Sequence, residues 1–145
     1  MLVRDVLQAK GNRIVTIDAG ATVGEAIARL VQNNIGSLPV VDDEGKLVGI
    51  FSERDVLRII HNRGESFARL PIREAMTRDP ITCRVHDDVE QVMGQMSERR
   101  IAKVPVTAAD DQLIGIVSVG DVVKALHEKL HSENQHLLSY IQGGV

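Results

Sequence analysis

The chain contains no tryptophan, one tyrosine and two phenylalanines among its 145 residues. Single-stranded bases are held largely by stacking on aromatic rings, and a formal charge of −3 offers no general attraction to a phosphate backbone. Nucleic acid is therefore disfavoured as the main partner. One cysteine, Cys83, rules out an internal disulfide and a multi-cysteine zinc site; it fits a reducing compartment, most simply the cytoplasm. No apolar run approaches the roughly 20 residues that cross a bilayer. The opening MLVRDVLQAK lacks the apolar centre of a secretory leader, and no membrane partner is expected. What is plentiful is ordinary: 43% apolar and 26% charged residues, the balance of a globular protein. The length suits one common domain or two very small ones packed together. Any ligand must be held by backbone groups, aliphatic walls and a few charges.

The informative feature is a repeat. Shifting the sequence by 66 places Thr16 on Thr82, Ile35 on Ile101, Pro39 on Pro105, Gly49 on Gly115, Ser52 on Ser118, Asp55 on Asp121 and His61 on His127, with no gap from residue 14 to residue 62. Upstream, VRDVL from Val3 matches IREAM from Ile72 at an offset of 69, so the first copy carries three additional residues before its first strand. Each copy follows one pattern. IVTI (14–17) and PITC (80–83) read as short strands. Val23, Ala26, Ile27, Leu30 and Val31 recur at helical spacing behind Thr22, an N-cap with Glu25 three residues on; Asp88 through Arg99 is the counterpart. SLPVVD (37–42) and KLVGIF (46–51) read as a hairpin turning at DEG, and Ser52 opens a second helix. The unit is β-α-β-β-α, with NRGESFARLP (62–71) as a polar link. Some 55 residues cannot cover a three-stranded sheet alone, so the units are expected to pack about a pseudo-twofold axis. The expected boundaries are 1–62, a linker 63–71, 72–131, and a helical tail 132–145.

GIFSERD (49–55) and GIVSVGD (115–121) allow two readings. A Ser N-cap with an acidic residue at the third helical position is close to a capping box, and a carboxylate suits the positive helix end. The same geometry makes a sugar-phosphate holder. Free N–H groups at the helix start receive phosphate, and two carboxylate oxygens match the adjacent hydroxyls of a ribose. The Gly-Ile doublets would let the strand pass close to a ligand. Ile35, Leu38, Ile101 and Val104 are aliphatic candidates to sandwich an adenine, and Thr16 and Thr82 could bond a base edge; the plain alternative is β-branched residues in strands.

These paired phrases, each about ten residues after an (L/V)-P-V strand, resemble a tandem of CBS domains, and the resemblance covers roughly residues 1–130. It implies a mixed α/β (α+β) pair of β-α-β-β-α units with two clefts that commonly bind adenosine compounds: AMP, ADP, ATP, S-adenosylmethionine or NAD(H). By that resemblance Asp55 and Asp121 hold ribose, and Ser52 and Ser118 contact ribose or phosphate. Thr16 with Ser37, Leu38 and Pro39, and Thr82 with Lys103, Val104 and Pro105, line base pockets. It also implies a disc-shaped homodimer. The implied role is a non-catalytic sensor acting on an unidentified partner protein; the alternative is a structural module whose Ser and Asp only cap helices.

The copies differ in charge. The second carries Arg99, Arg100 and Lys103 where the first has Asn33, Asn34 and Ser37, and only the first motif has Arg54 and Glu53. The second copy is thus expected to be the stronger site for an anionic nucleotide, with Arg54 within reach of either cleft; a solvated helix end is the plain alternative for the basic trio. HEKLH (127–131) matches the zinc-protease pattern, but only 14 residues follow it to supply a third ligand, and polar helix surface is the expectation. Leu126, Leu130, Leu137, Leu138 and Ile141 form a helical stripe interrupted at SEN (132–134), expected to dock on the module or on a partner subunit.

Overall fold

A computed structural model describes residues 1–11, 13–64 and 66–143. Helix α1 (Val3–Lys10) is followed by β1 (Ile17–Asp18), α2 (Val23–Asn33), β2 (Ser37–Val41), β3 (Leu47–Ser52) and α3 (Glu53–Arg63). A short 3-10 turn at Ile72–Glu74 leads into β4 (Thr77–Arg78), α4 (Val89–Arg99), β5 (Lys103–Thr107), β6 (Leu113–Ser118) and α5 (Val119–Gly143). Helix α2 opens as its sequence indicates: Glu25 N donates to Thr22 Oγ1 at 3.2 Å, and Thr22 N donates to Glu25 Oε2 at 3.0 Å. The strands form one sheet in the order β1-β2-β3-β4 and a second, β5-β6.

The first strands are shorter than expected. Only Ile17 and Asp18 join β2, and of PITC only Cys83 bridges, to Val106. Proline is the reason. Cys83 N donates to Pro105 O at 3.0 Å and Thr107 N donates to Cys83 O at 3.0 Å. The next ladder bond toward the N-terminus would need an N–H on Pro105, or on Pro39 in the first copy, and proline has none. In the first copy Arg29 Nη1 instead donates to Thr16 O, at 2.7 Å.

The repeat-equivalent residues Lys46 and Gln112 bridge each other. A residue that meets its own counterpart lies on a twofold axis, so the pseudo-symmetry expected from the duplication is realised at the hairpin tips. The bridges Leu2–Asp88 and Thr22–Pro71 are a second symmetric pair under the offsets of 66 and 69.

The two cores do not follow the two repeats. One contains Ile17, Val23, Ala26, Leu30, Leu38, Val40 and Phe51, closed by Ile72 and Met76 from the start of the second copy. The other contains Val89, Val92, Met96, Val104, Val106, Val117 and Val122, closed by Val3 and Val6 from the start of the first. Backbone bonds tie both crossings: Val3 N donates to Asp87 O and Val89 N to Met1 O, while Ile72 N donates to Ala21 O and Val23 N to Leu70 O. Phe67 and Leu70, within the stretch read as a polar link, turn back onto the first core; Glu65 of that stretch lies outside the described residues. The glycines of the Gly-Ile doublets make room for this exchange. A Cβ on Gly49 would stand 2.6 Å from Met76 Sδ, and one on Gly115 would stand 2.8 Å from Leu7 Cδ2.

Helix α5 runs unbroken through SEN, since Ser, Glu and Asn cost little on a helix that packs against nothing there. Every residue from Leu126 to Gln142 is exposed, so the stripe does not dock on its own module. Gly144 and Val145, the end of the expected tail, lie outside the described residues.

Ile72 is fully buried in the core of the other copy. Ile72→Ala should therefore cost about 2–5 kcal/mol, read from urea unfolding, in one transition that takes both units down together. Two separate transitions would contradict the exchange.

Candidate functional site

The hairpin registers Ser37 to Ser52 and Lys103 to Ser118 set the start of each second strand beside the end of each third strand, where the Ser-x-x-Asp helices begin. Both phrases form the capping box. Ser52 N donates to Asp55 Oδ2 at 2.9 Å and Asp55 N to Ser52 Oγ at 3.4 Å. Ser118 N donates to Asp121 Oδ2 at 2.9 Å and Asp121 N to Ser118 Oγ at 3.0 Å. Local sequence dictates this arrangement, and it is the same in both copies.

Beyond the box the copies part. Asp55 is 1% exposed. Its oxygens also accept from Ser52 Oγ, Arg58 Nη1 and Thr77 Oγ1, each at 3.1 Å. That carboxylate is sealed, and it ties α3 to β4. Asp121 keeps 21% of its side chain exposed and receives Lys10 Nζ at 2.7 Å. Lys10 comes from the end of α1 and also donates to Ile116 O at 2.8 Å. Extending the offset of 69, the counterpart of Lys10 is Asp79. A carboxylate there cannot pair with Asp55, so the first copy closes with Thr77 instead.

Four charges meet beside Asp121. Burial pushes the Asp121 carboxyl up, but the Lys10 ammonium and the Ser118 N–H and hydroxyl outweigh it and hold the group below its ordinary value of 3.8. Lys103 is shifted downward, first by burial and then by the like charge of Lys10; Asp121 and Glu53 oppose the shift. Glu53 belongs to the first motif, and its N donates to Gly36 O at 3.0 Å. Its charge acts on Lys103 of the second copy. Two lysines thus flank the Asp121 carboxylate, which keeps an exposed face.

The aliphatic walls are partly as anticipated. Ile35 and Ile101 are half-buried at the core margins, available from one side. Leu38 and Val104 are fully buried; they are core residues with no surface for a base, in strands buried at successive positions. Pro39 and Pro105 are buried and shape the strand ladders. Thr16 is half-buried and Thr82 exposed. Arg99 and Arg100 are exposed at the end of α4, with Arg100 in the left-handed region at φ 54°, and Arg54 is exposed on α3.

Next to Lys10 is a crevice of about 30 Å³ between Leu7, Arg13, Ile14, Ile114 and Ile116, room for little more than one water. A wider cleft of about 530 Å³ runs along Ile17, Asp18, Gly20, Glu25, Arg29 and Gln32. None of the Ser-x-x-Asp residues lines it, and its charged groups are already engaged with Gly20 N, Thr22 N and Thr16 O.

Sequence reasoning did not find Lys10 or Thr77. Both reach their carboxylates through the exchanged segments, which leave no local signature. Arg58, three residues after Asp55 on one helix face, was legible from spacing alone.

The lowered Asp121 value sets a pH dependence. Stabilisation by the Lys10 pair is complete above the ordinary carboxyl value of 3.8 and is lost as pH falls through the lower folded value. Asp121→Asn should therefore be less stable than the parent by about 1 kcal/mol or less at pH 7, and the gap should close below pH ~4. Paired thermal melts across pH 3–7 measure it; a gap that widens in acid contradicts the pairing.

The CBS domain family model matches residues 3–62 and again 72–128. The chain is 35% identical over 150 residues to the mitochondrial CBS domain-containing protein CBSX3 of Arabidopsis thaliana, covering 98% of this chain and 72% of that one. Some curated relatives are far longer, and the chain spans 21% and 22% of two proteins of Methanocaldococcus jannaschii. Among solved structures, the CBS domain pair of protein MJ0100, in complex with 5′-methylthioadenosine and S-adenosyl-L-methionine, superposes with a TM-score of 0.75 at 32% identity, covering 89% of this chain and 98% of that one. CBSX2 in complex with AMP gives 0.77 at 27% identity, covering 88% and 96%.

Proposed function

The chain belongs to the CBS domain family, and on that premise we propose that it is a non-catalytic regulatory module whose effector is an adenosine ligand, AMP or a relative such as ADP, ATP, NAD(H) or S-adenosylmethionine. Its working parts are units 1–62 and 72–131, a linker 63–71 and the tail 132–145, acting as a cytoplasmic homodimer on a regulated partner protein. One observation carries the reading: Asp121 has an open face and is flanked by Lys10 and Lys103, whereas Asp55 is sealed. The complexes of MJ0100 and CBSX2 support the adenosine class.

Binding at Asp121 has a mechanical consequence. A ribose that donates two hydroxyls to the carboxylate must displace Lys10 Nζ. The freed ammonium, together with Lys103, then faces the phosphate, while Ser118 contacts ribose or phosphate at the helix start. Lys10 ends α1, and Gly11 beyond it sits at φ 91°, a conformation that glycine adopts without strain. Ligand arrival thus pulls on the end of α1, whose Val3 and Val6 are anchored in the second core. Occupancy is converted into a movement of the exchanged arm.

The competing reading, a ligand-free structural module, draws on the complete capping boxes in both copies. Calorimetry with AMP and adenosine separates the two. Asp121→Ala should weaken AMP by at least about 30-fold, the loss of charge-assisted hydrogen bonds. Lys103→Met should weaken AMP about tenfold and adenosine about twofold or less. No heat and no thermal shift with AMP, ADP, ATP, NADH or S-adenosylmethionine supports the structural module. AMP binding abolished by Asp55→Asn but intact in Asp121→Ala would overturn the choice of the second copy.

A further inference from the structure

Beyond Ala125, the last α5 residue in a core, the helix projects from the module with no side covered. An isolated helix of this length is marginal in water, yet this one displays large apolar residues in a regular order. Val119, Val123, Leu126, Leu130, Leu137 and Tyr140 are spaced 4, 3, 4, 7 and 3 apart, a repeat of 3.5 in which Glu133 takes the one remaining place. All six apolar members are exposed, Leu130 by 65% and Tyr140 by 71%. A 3.5-residue repeat is the seam of a coiled coil, whereas a surface helix covering its own domain follows 3.6.

The occupant is indicated by how the seam matches itself. In a parallel pair in register, Glu133 would face Glu133 of the partner subunit and Tyr140 would face the partner's Tyr140, two carboxylates and two large rings in one narrow seam. In the antiparallel pair centred between His131 and Ser132, Leu126 packs on Leu137 of the partner subunit, and small Val123 on the large Tyr140 of the partner subunit. Glu133 then lies beside the partner's Leu130, with its carboxylate near Lys129 of the partner subunit. Sizes and charges complement one another only in this direction. We propose that α5 pairs with α5 of a second copy as an antiparallel coiled coil about a twofold axis near residues 131 and 132. Each tail covers the exposed face of the partner module's α5, at Val123 and Leu126. The interface gives a form to the homodimer proposed above but needs neither the cleft nor a ligand, so it stands or falls separately from the adenosine-binding reading.

Light scattering after size exclusion should give a dimer at about 100 µM chain. Leu130→Asp should weaken association by at least about a hundredfold, about 2.7 kcal/mol, and yield a monomer. Its melting temperature, measured on the monomer, should stay near that of a Leu137→Asp monomer, since neither residue packs on its own module. Direction is read by oxidative cross-linking, in which Cys83 takes no part: burial, with the nearby Asp87 charge, pushes its thiol up to about 12. The double variant Leu126→Cys/Leu137→Cys should form a disulfide-linked dimer, and neither single variant should. A monomeric parent chain, a dimer that survives Leu130→Asp, or a cross-link through Leu126→Cys alone would each overturn the proposal.

Discussion

The exchange of arms between the two units is the constraint on which the rest of the molecule depends. Val3 and Val6 complete the core of the second unit, and Ile72 and Met76 complete the core of the first. Neither unit has enough apolar surface of its own to close a sheet covered by two helices. Because the closing piece of each comes from the other, the units cannot separate without opening both cores. The shared Lys46–Gln112 bridge then places the axis, and the axis brings the two Ser-x-x-Asp helix starts toward one another. A cleft between the units is a by-product of how they complete each other.

The same exchange produces the asymmetry of the site. Each crossing segment passes over a glycine, Leu7 over Gly115 and Met76 over Gly49, and then reaches the carboxylate of the far unit. One segment delivers Lys10 to Asp121, and the other delivers Thr77 to Asp55. An ammonium at the rim leaves its carboxylate partly exposed. A short hydroxyl backed by Arg58 seals the other. Two nearly identical local motifs thereby acquire different chemistry from residues that lie 111 and 22 positions away in the chain.

Much of the unit was legible because it is local. The Thr22 and Ser52 caps, the hairpins and the helical stripes depend on neighbours within four residues, and they occur where the spacing indicates. Misreadings came from long-range partners. The first strands are short because a proline on the adjacent strand lacks a donor. Leu38 and Val104 are closed off because their strands are buried at successive positions, on both faces. Gly49 and Gly115 also give room to a crossing side chain. At SEN the apolar stripe is interrupted as its sequence shows, while the helix continues, since a polar triplet interrupts an apolar stripe without interrupting backbone hydrogen bonds.

The sequence by itself determined the duplication, the β-α-β-β-α unit, the two capping boxes and the family, since each is written in short-range spacing and repeated in register. Only the tertiary structure decided which segment closes which core, which of two equivalent aspartates stays accessible, and which lysine guards it. The physical reason is the crossover. Burial and charge at each aspartate are set by a segment from the other end of the repeat, and a single strand of text carries no record of where its distant parts will meet.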